Sequence, residues 1–456
     1  MRKSVGIPIV LFFLGLVIFS LLSTKVLVTD APQYVNAAKE FANLAVSPVR
    51  NFNAWLYPWL LGQVLQVVPS LVALKVVNVL WLVLDVLLLW LLVKRREVLW
   101  LFMFSPVVWV FSLWINPIIP VSFFLLLAYF SLVRFESSKS SYRWWWFVLS
   151  GVSLGLVSSL WWPGTYLAVF FILVFFWRSS FVAVIKYLAC FGIGFAVRLV
   201  LDGVFFGFPF YSMIRALGSN VLFFLDKAEV LGAVPVPLWL VIFLVLVTIS
   251  PFLFCLYRVD RQRYGRELVF LGLSSVLFLL NHDLRYFITI VPVVMVLLVS
   301  CVKRQDVVLH VALSLIILVP LAAPYFGVTD DYLLKQDVIQ VVHDYPDRIF
   351  IVGTEGVSEE QAMDLSTVYW GSGIRFVTYK DWELSRDDEE MYREYVFVAD
   401  PKINELRQLR FSLVYERGNN EDLDDLKDLL VIGDAPPPEG FVLVKKYALV
   451  RYYTLS

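Results

Sequence analysis

Cysteine and histidine are scarce in this chain. Its three cysteines, Cys190, Cys255 and Cys301, each fall in or beside a hydrophobic run, and only three histidines are present. This argues against a disulfide framework and against a metal centre built from clustered thiolates or imidazoles. Net charge is also missing. The 38 basic and 38 acidic residues cancel, so there is no overall positive field of the kind that draws nucleic acid. No phosphate-loop, zincin or serine-elbow motif sits in a fitting context, which argues against an ATP-driven pump. No internal repeat is evident either.

Apolar surface, by contrast, is in excess. Of 456 residues 60% are hydrophobic, and the mean hydropathy is +0.76. A soluble domain rarely exceeds about half apolar composition. The excess lies before residue 325, in runs long enough to cross a hydrocarbon core. Candidate spans fall at about 4–25, 70–93, 98–114, 118–133, 144–161, 164–177, 181–206, 236–257, 268–281, 287–302 and 307–324. Tight tips at Asn116-Pro117 and Trp162-Pro163-Gly164 suggest hairpins. The first run follows Met1-Arg2-Lys3 but is too long for a signal peptide's core, with no small-residue cleavage site after it, and reads as a retained span. The expectation is an α-helical polytopic membrane protein of about eleven spans over residues 1–324, followed by a small α/β domain over 325–456.

Charge placement gives this layout a direction. With a cytoplasmic N-terminus, the inner loops are Arg2-Lys3, Lys94–Arg96, Arg134–Arg143, Arg178, Arg258–Arg266 and Lys303-Arg304, with fifteen Lys and Arg between them. The opposite loops hold six, so the positive-inside rule is met loop by loop. An odd number of spans then puts the tail outside the cytoplasm. In the tail, strand-length apolar runs at 348–352, 374–379, 395–399, 411–415, 429–432 and 441–453 alternate with helix-like stretches near 332–344 and 400–410. The last run, broken by Lys445-Lys446, reads as a hairpin or a bent strand.

Three places hold candidate chemistry. The first outer loop (26–69) opens Thr29-Asp30-Ala31-Pro32-Gln33-Tyr34, then carries an interfacial helix whose stripe is Tyr34, Ala38, Phe41 and Ala45. From residue type alone Asp30 reads first as a helix cap, with Pro32 in the first turn, a role compatible with that of a general base at the membrane surface. The loop before the tenth span reads Asn281-His282-Asp283-Leu284-Arg285-Tyr286. Arg285 with His282 and Tyr286 can grip a phosphate, or serve as an interfacial anchor paired to Asp283. Third come polar residues inside or bordering spans. Asp85 and Asn78 lie on the second span, Lys75 and Asn116 in the outer leaflet, and Arg198 and Asp202 four apart on one helix face, spaced to pair with each other. Arg215 lies in the long aromatic loop 207–235, a segment suited to guiding a lipid tail or to packing alone.

These features together resemble the GT-C superfamily of membrane glycosyltransferases, most closely its protein-mannosyltransferase and aminoarabinose-transferase branch. The Thr29–Tyr34 segment stands where that family has its acidic motif, and His282-Asp283-Leu284-Arg285-Tyr286 with Pro292 looks like its His-x-x-Arg-aromatic…Pro signature. Ser366–Ile374 resembles a helix-to-strand passage of the family's outer domain. Two family features are missing: a second acid beside Asp30, where Ala31 stands, and an acid at the Asn116-Pro117 tip. No Trp-Trp-Asp-type tail motif is present, which disfavours en-bloc oligosaccharide transfer.

The resemblance implies an inverting transfer of sugar from a polyprenyl- or dolichyl-phosphate donor to a protein, lipid or glycan acceptor at the outer membrane face. Asp30 would be the base, and His282, Arg285 and Tyr286 would bind the donor phosphate. Tyr34, Lys75, Asn116, Arg198, Asp202 and Arg215 are candidates for lining the site. No cofactor is required, and a divalent metal stays open. The partners implied are the lipid-linked sugar, the acceptor and the bilayer, with no nucleic acid. Rival readings are a flippase or transporter of a lipid-linked substrate, a glycan polymerase or ligase, and a scaffold whose outer domain binds a partner.

Overall fold

The long apolar runs satisfy their own backbone hydrogen bonds as helices, the only open-ended way to do so in hydrocarbon. A computed structural model describes residues 6–23, 31–42, 54–214, 248–281, 284–326, 337–338, 340–341, 343–345, 350–352, 376–378, 428–432, 441–447 and 450–455. Among the described residues of the first half there are ten helices: α1 (Gly6–Leu22), α2 (Ala31–Phe41), α3 (Leu56–Val67), α4 (Leu71–Val93), α5 (Arg96–Met103), α6 (Pro106–Ser112), α7 (Ile118–Ser137), α8 (Arg143–Leu160), α9 (Gly164–Phe176) and α10 (Phe181–Phe206). Then come α11 (Arg261–Asn281), a 3₁₀ run (Leu284–Ile290), α12 (Val291–Cys301) and α13 (Arg304–Ala322).

Among the described residues, four helical segments are long and apolar enough to cross a membrane: α4, α7, α10 and α13 with its extension to Tyr325. Shorter apolar helices occur at Gly6–Leu22, Gly164–Phe176 and Phe287–Cys301. The expected span at 98–114 is instead two helices. Pro106 disfavours helical backbone at the residue before it; Ser105 is extended there, at ψ 121°, and its freed hydroxyl donates to the Ile249 carbonyl at 2.7 Å. The expected span at 236–257 lies mostly outside the described residues. Conversely, the loop after α2 contains a second helix, α3, which the sequence reading left out. Pro58 falls in its first turn, where no intrahelical N–H bond is lost.

The bundle has two distinct ends. At one, Ser23 donates to the Tyr325 carbonyl at 3.1 Å, Lys75 donates to the Ser20 carbonyl at 2.8 Å, and Phe41 of α2 packs on Phe205 of α10. At the other, Arg95 donates to the Val299 carbonyl at 2.5 Å, and Arg266 grips Glu136 with two bonds of 2.7 and 2.8 Å. The basic loops 94–96, 134–143 and 258–266 gather at this second end.

Helices α8 and α10 cross at backbone contact. A Cβ on Gly155 would strike the backbone of Phe191 and Phe195, and one on Gly194 would strike the Val152 carbonyl. Ser159 adds a bond across the crossing to the Gly194 carbonyl at 3.0 Å. Small residues make such close approach possible, as is usual where helices pack in lipid.

Among the described residues of the tail, five strands form one sheet in the order β2-β1-β3-β5-β4. Its strands are β1 (Phe350–Val352), β2 (Phe376–Thr378), β3 (Asp428–Ile432), β4 (Phe441–Lys446) and β5 (Val450–Leu455). β2, β1 and β3 run parallel, whereas β3-β5-β4 is antiparallel. The final run is thus a hairpin, with a register shift between Leu443 and Lys445. Asp344 ties the helical stretch before the sheet to this hairpin, accepting from Lys445 Nζ at 2.5 Å and Tyr447 at 2.9 Å. Those two bonds hold its carboxyl below the usual carboxylate range. The expected strands at 395–399 and 411–415 and the expected helix at 400–410 fall outside the described residues.

Candidate functional site

Helix α4 carries a polar ladder on its inward face. Lys75, Asn78 and Asp85 recur at three and seven residues, which keeps them on one stripe of a helix. All three are buried. By the 1.5 Å rise per residue, they lie about 6, 10 and 21 Å along the axis from Leu71. Each rung ties α4 to a different element. Lys75 reaches α1 through the Ser20 carbonyl. Asn78 donates to the Trp114 carbonyl and accepts from the Tyr57 hydroxyl at 3.3 Å. Asp85 accepts from Ser122 of α7 at 3.0 Å.

The second rung leads to the first outer loop. Tyr57 of α3 meets Tyr34 of α2 edge to face at 5.4 Å between ring centres. A continuous path therefore runs from α2, whose first residue directly follows Asp30, through Tyr34, Tyr57 and Asn78 to the α6–α7 tip. That tip lies level with Asn78, not at the start of α4, so it is recessed by about 10 Å. At the tip Asn116 turns its side-chain oxygen back to the Ile118 N–H at 3.0 Å and caps α7.

A second polar cluster stands at the same end of the bundle. Arg198 and Asp202 do share a helix face, and Ser212 mediates between them. Arg198 Nε donates to Ser212 Oγ at 2.8 Å, and the Ser212 hydroxyl donates to Asp202 Oδ2 at 2.7 Å. The guanidinium also donates to the Ser158 carbonyl at 3.1 Å and lies 5.3 Å from the Trp162 ring centre. Neighbouring Tyr211 packs with Ala37 of α2 and with Trp55, so this cluster buttresses the α2–α3 platform. Lys39, two residues before Phe41 on α2, is buried, and burial pulls its ammonium down to about 7.

Of the expected site residues, the structure gathers Tyr34, Lys75 and Asn116 around the α4 ladder, and Arg198 with Asp202 beside the platform. Asp30, His282 and Arg215 lie outside the described residues. Arg285 and Tyr286 are placed by their backbone alone, on the 3₁₀ run, which packs against α6, α7, α11 and α12. Sequence reasoning missed Tyr57, Ser122 and Ser212, whose roles depend on partners 21, 37 and 10 residues away. Within the bundle it also missed Glu267, which accepts from Tyr129 at 2.8 Å, and His310, held between Ser250 and the Leu101 carbonyl.

No protein-family model and no curated protein sequence matches the chain. Its structure, however, matches the crystal structure of ArnT from Cupriavidus metallidurans bound to undecaprenyl phosphate. The TM-score is 0.62 over 99% of this chain and 98% of that one, at 12% identity. The apo state of ArnT matches with the same TM-score, over 97% of each chain, at 11% identity. The chain has the GT-C fold. A further match, to the mycobacterial arabinofuranosyltransferase AftD, has a TM-score of 0.50 at 14% identity and covers 98% of this chain but 40% of that one. Identities this low speak for the GT-C fold and not for individual residues. The roles of residues in this GT-C bundle rest on their own geometry and chemistry.

Proposed function

We propose that this protein transfers one sugar, with inversion, from a polyprenyl- or dolichyl-phosphate donor to a protein, lipid or glycan acceptor on the outer side of the membrane. The observation that carries the reading is the end-to-end fold match to a chain crystallised with undecaprenyl phosphate. In this reading residues 1–324 form the catalytic membrane domain and 325–456 an extracytoplasmic domain, with the α2 end of the bundle facing out.

The chemistry follows from where the charges would fall. Asp30, at the residue before α2, takes the proton of the acceptor hydroxyl. That oxygen forms the new bond to the anomeric carbon as the bond to the donor phosphate oxygen breaks, and polyprenyl phosphate leaves. Arg285, with His282 and Tyr286, binds the phosphate and offsets the charge it gains on departure; fixed cations suffice for that role. Tyr34 and the α4 ladder hold the first outer loop against the recessed tip. No cofactor is needed by this scheme, and a divalent metal is compatible with it.

The test is to incubate the purified, full-length protein with a panel of polyprenyl-phosphate sugars and detect the freed lipid phosphate. Asp30→Asn is expected to lower turnover by about 10²–10⁴-fold, the usual worth of a general base, with the protein still eluting as a folded species. Full activity in that variant removes Asp30 from the role.

A further inference from the structure

Several cations at the basic end of the bundle are held by the protein itself. Arg266 takes both oxygens of Glu136, Arg95 donates to the Val299 carbonyl, and Arg134 donates to the Leu91 carbonyl at 3.4 Å. Arg143 and Lys186 are not held in this way. Among the described residues neither side chain has a hydrogen-bond or ion-pair partner. Both turn instead to one indole: the Arg143 guanidinium lies 5.6 Å and the Lys186 ammonium 5.8 Å from the ring centre of Trp144. The acid nearest to Arg143 in sequence, Glu136, is committed to Arg266. Two like charges therefore converge on one ring with no carboxylate bonded to either.

The path of the Lys186 side chain shows what surrounds this place. Helices α8 and α10 run side by side in the same direction, levelled by the 2.8 Å bond between Ser150 and Tyr187 and by the close approach of Gly155 to Phe191. Arg143 stands seven residues before Ser150, and Lys186 one before Tyr187. The backbone of Lys186 is thus about 9 Å farther from the basic end than that of Arg143. Its neighbours on the same stripe of α10, Val182 and Ile193, are apolar and exposed, as a lipid-facing surface is. An ammonium on such a surface runs back along its apolar stem to the headgroup layer. Here it arrives at Trp144, in the first turn of α8, where Trp144 and Trp145 are both exposed. Indoles favour that layer too.

We propose that Arg143, Lys186 and Trp144 form a headgroup site for an anionic phospholipid. The anion plentiful at this depth is lipid phosphate, and a negatively charged lipid is drawn to basic side chains at the surface. The phosphate takes donors from the guanidinium and the ammonium, supplying the negative charge that the protein does not. The acyl chains lie along the exposed stripe of α10. The site stands at the opposite end of the bundle from α2 and is independent of the reaction proposed above.

The experiment titrates the purified, full-length protein in detergent with phosphatidylglycerol and reads the affinity for the first bound lipid by native mass spectrometry. Thermal midpoints are recorded without added lipid. Arg143→Gln and Lys186→Gln are compared with Lys94→Gln, which removes an exposed cation at the same end, on the C-cap of α4. Arg143→Gln and Lys186→Gln are each expected to weaken binding about fivefold, the usual worth of one basic residue at an anionic surface. Lys94→Gln is expected to bind like the parent. All three side chains are exposed, so all three variants should keep the parent's midpoint. Phosphatidylcholine, which has no net charge, is expected to bind more weakly and to be indifferent to the substitutions. An equal loss in Lys94→Gln would assign the effect to the overall charge of that end and overturn the site. Unchanged affinity in both Arg143→Gln and Lys186→Gln overturns it as well. If undecaprenyl phosphate binds more tightly than phosphatidylglycerol and loses that advantage in the same two variants, the site is one for a polyprenyl phosphate and the phospholipid assignment falls.

Discussion

At the scale of single residues, Lys39 shows how burial turns into a measurable property. Its ammonium is buried on α2 and is pulled down to about 7 by loss of water, whereas in an unfolded chain a lysine titrates near 10.4. Between those values the unfolded chain binds a proton that the folded one does not, so stability rises with pH across that window. The predicted signature is a thermal midpoint that climbs from pH 7 toward pH 10 and a slope that flattens in Lys39→Met, read by melting the detergent-purified protein at a series of pH values. The same slope in the variant would show that Lys39 keeps its charge. Nothing in the spelling of α2 announced this. Lys39 stands off the Tyr34–Phe41 stripe and reads as a solvated residue, yet the folded chain buries it.

At the scale of elements, the crossing of α8 and α10 is the most exacting contact. Gly155 and Gly194 have no room for a methyl group against the partner backbone, while Gly192 faces open space. Gly155→Ala is therefore expected to destabilise by about 1–3 kcal/mol, the usual cost of overpacking, and Gly192→Ala to be close to neutral. Thermal melts of the two variants side by side check the pair, and equal midpoints would mean that the helices can separate without cost. Periodicity and hydropathy made both helices legible as elements. Their closeness was not legible, because a glycine inside an apolar run looks the same facing lipid or facing a neighbour. The same holds for the break at Ser105, where Pro106 was visible but the Ile249 carbonyl that receives the freed hydroxyl was not. Strands β3, β4 and β5 were readable as short apolar runs, whereas the parallel pairing of β1 with β2 and β3 depends on crossovers that local sequence does not specify.

At the scale of the whole molecule, the two ends of the bundle differ in kind, and that difference bears on the proposed reaction. Lys75, Tyr34, the Arg198–Asp202 cluster and the start of the tail share one end, and the basic loops share the other. Positive loops are retained on the cytoplasmic side, so the α2 end should face out, where the proposed base and donor segment would meet their acceptor. Single cysteines test this directly once Cys190, Cys255 and Cys301 are replaced. Ser140→Cys lies in the exposed turn between α7 and α8, and Val442→Cys lies on the exposed edge strand β4. In intact cells a membrane-impermeant maleimide is expected to label Val442→Cys and spare Ser140→Cys, and to label both after permeabilisation. The reverse pattern would turn the bundle over. Asp30 would then face the cytoplasm together with the tail, and the acceptor would have to be sought among cytoplasmic molecules.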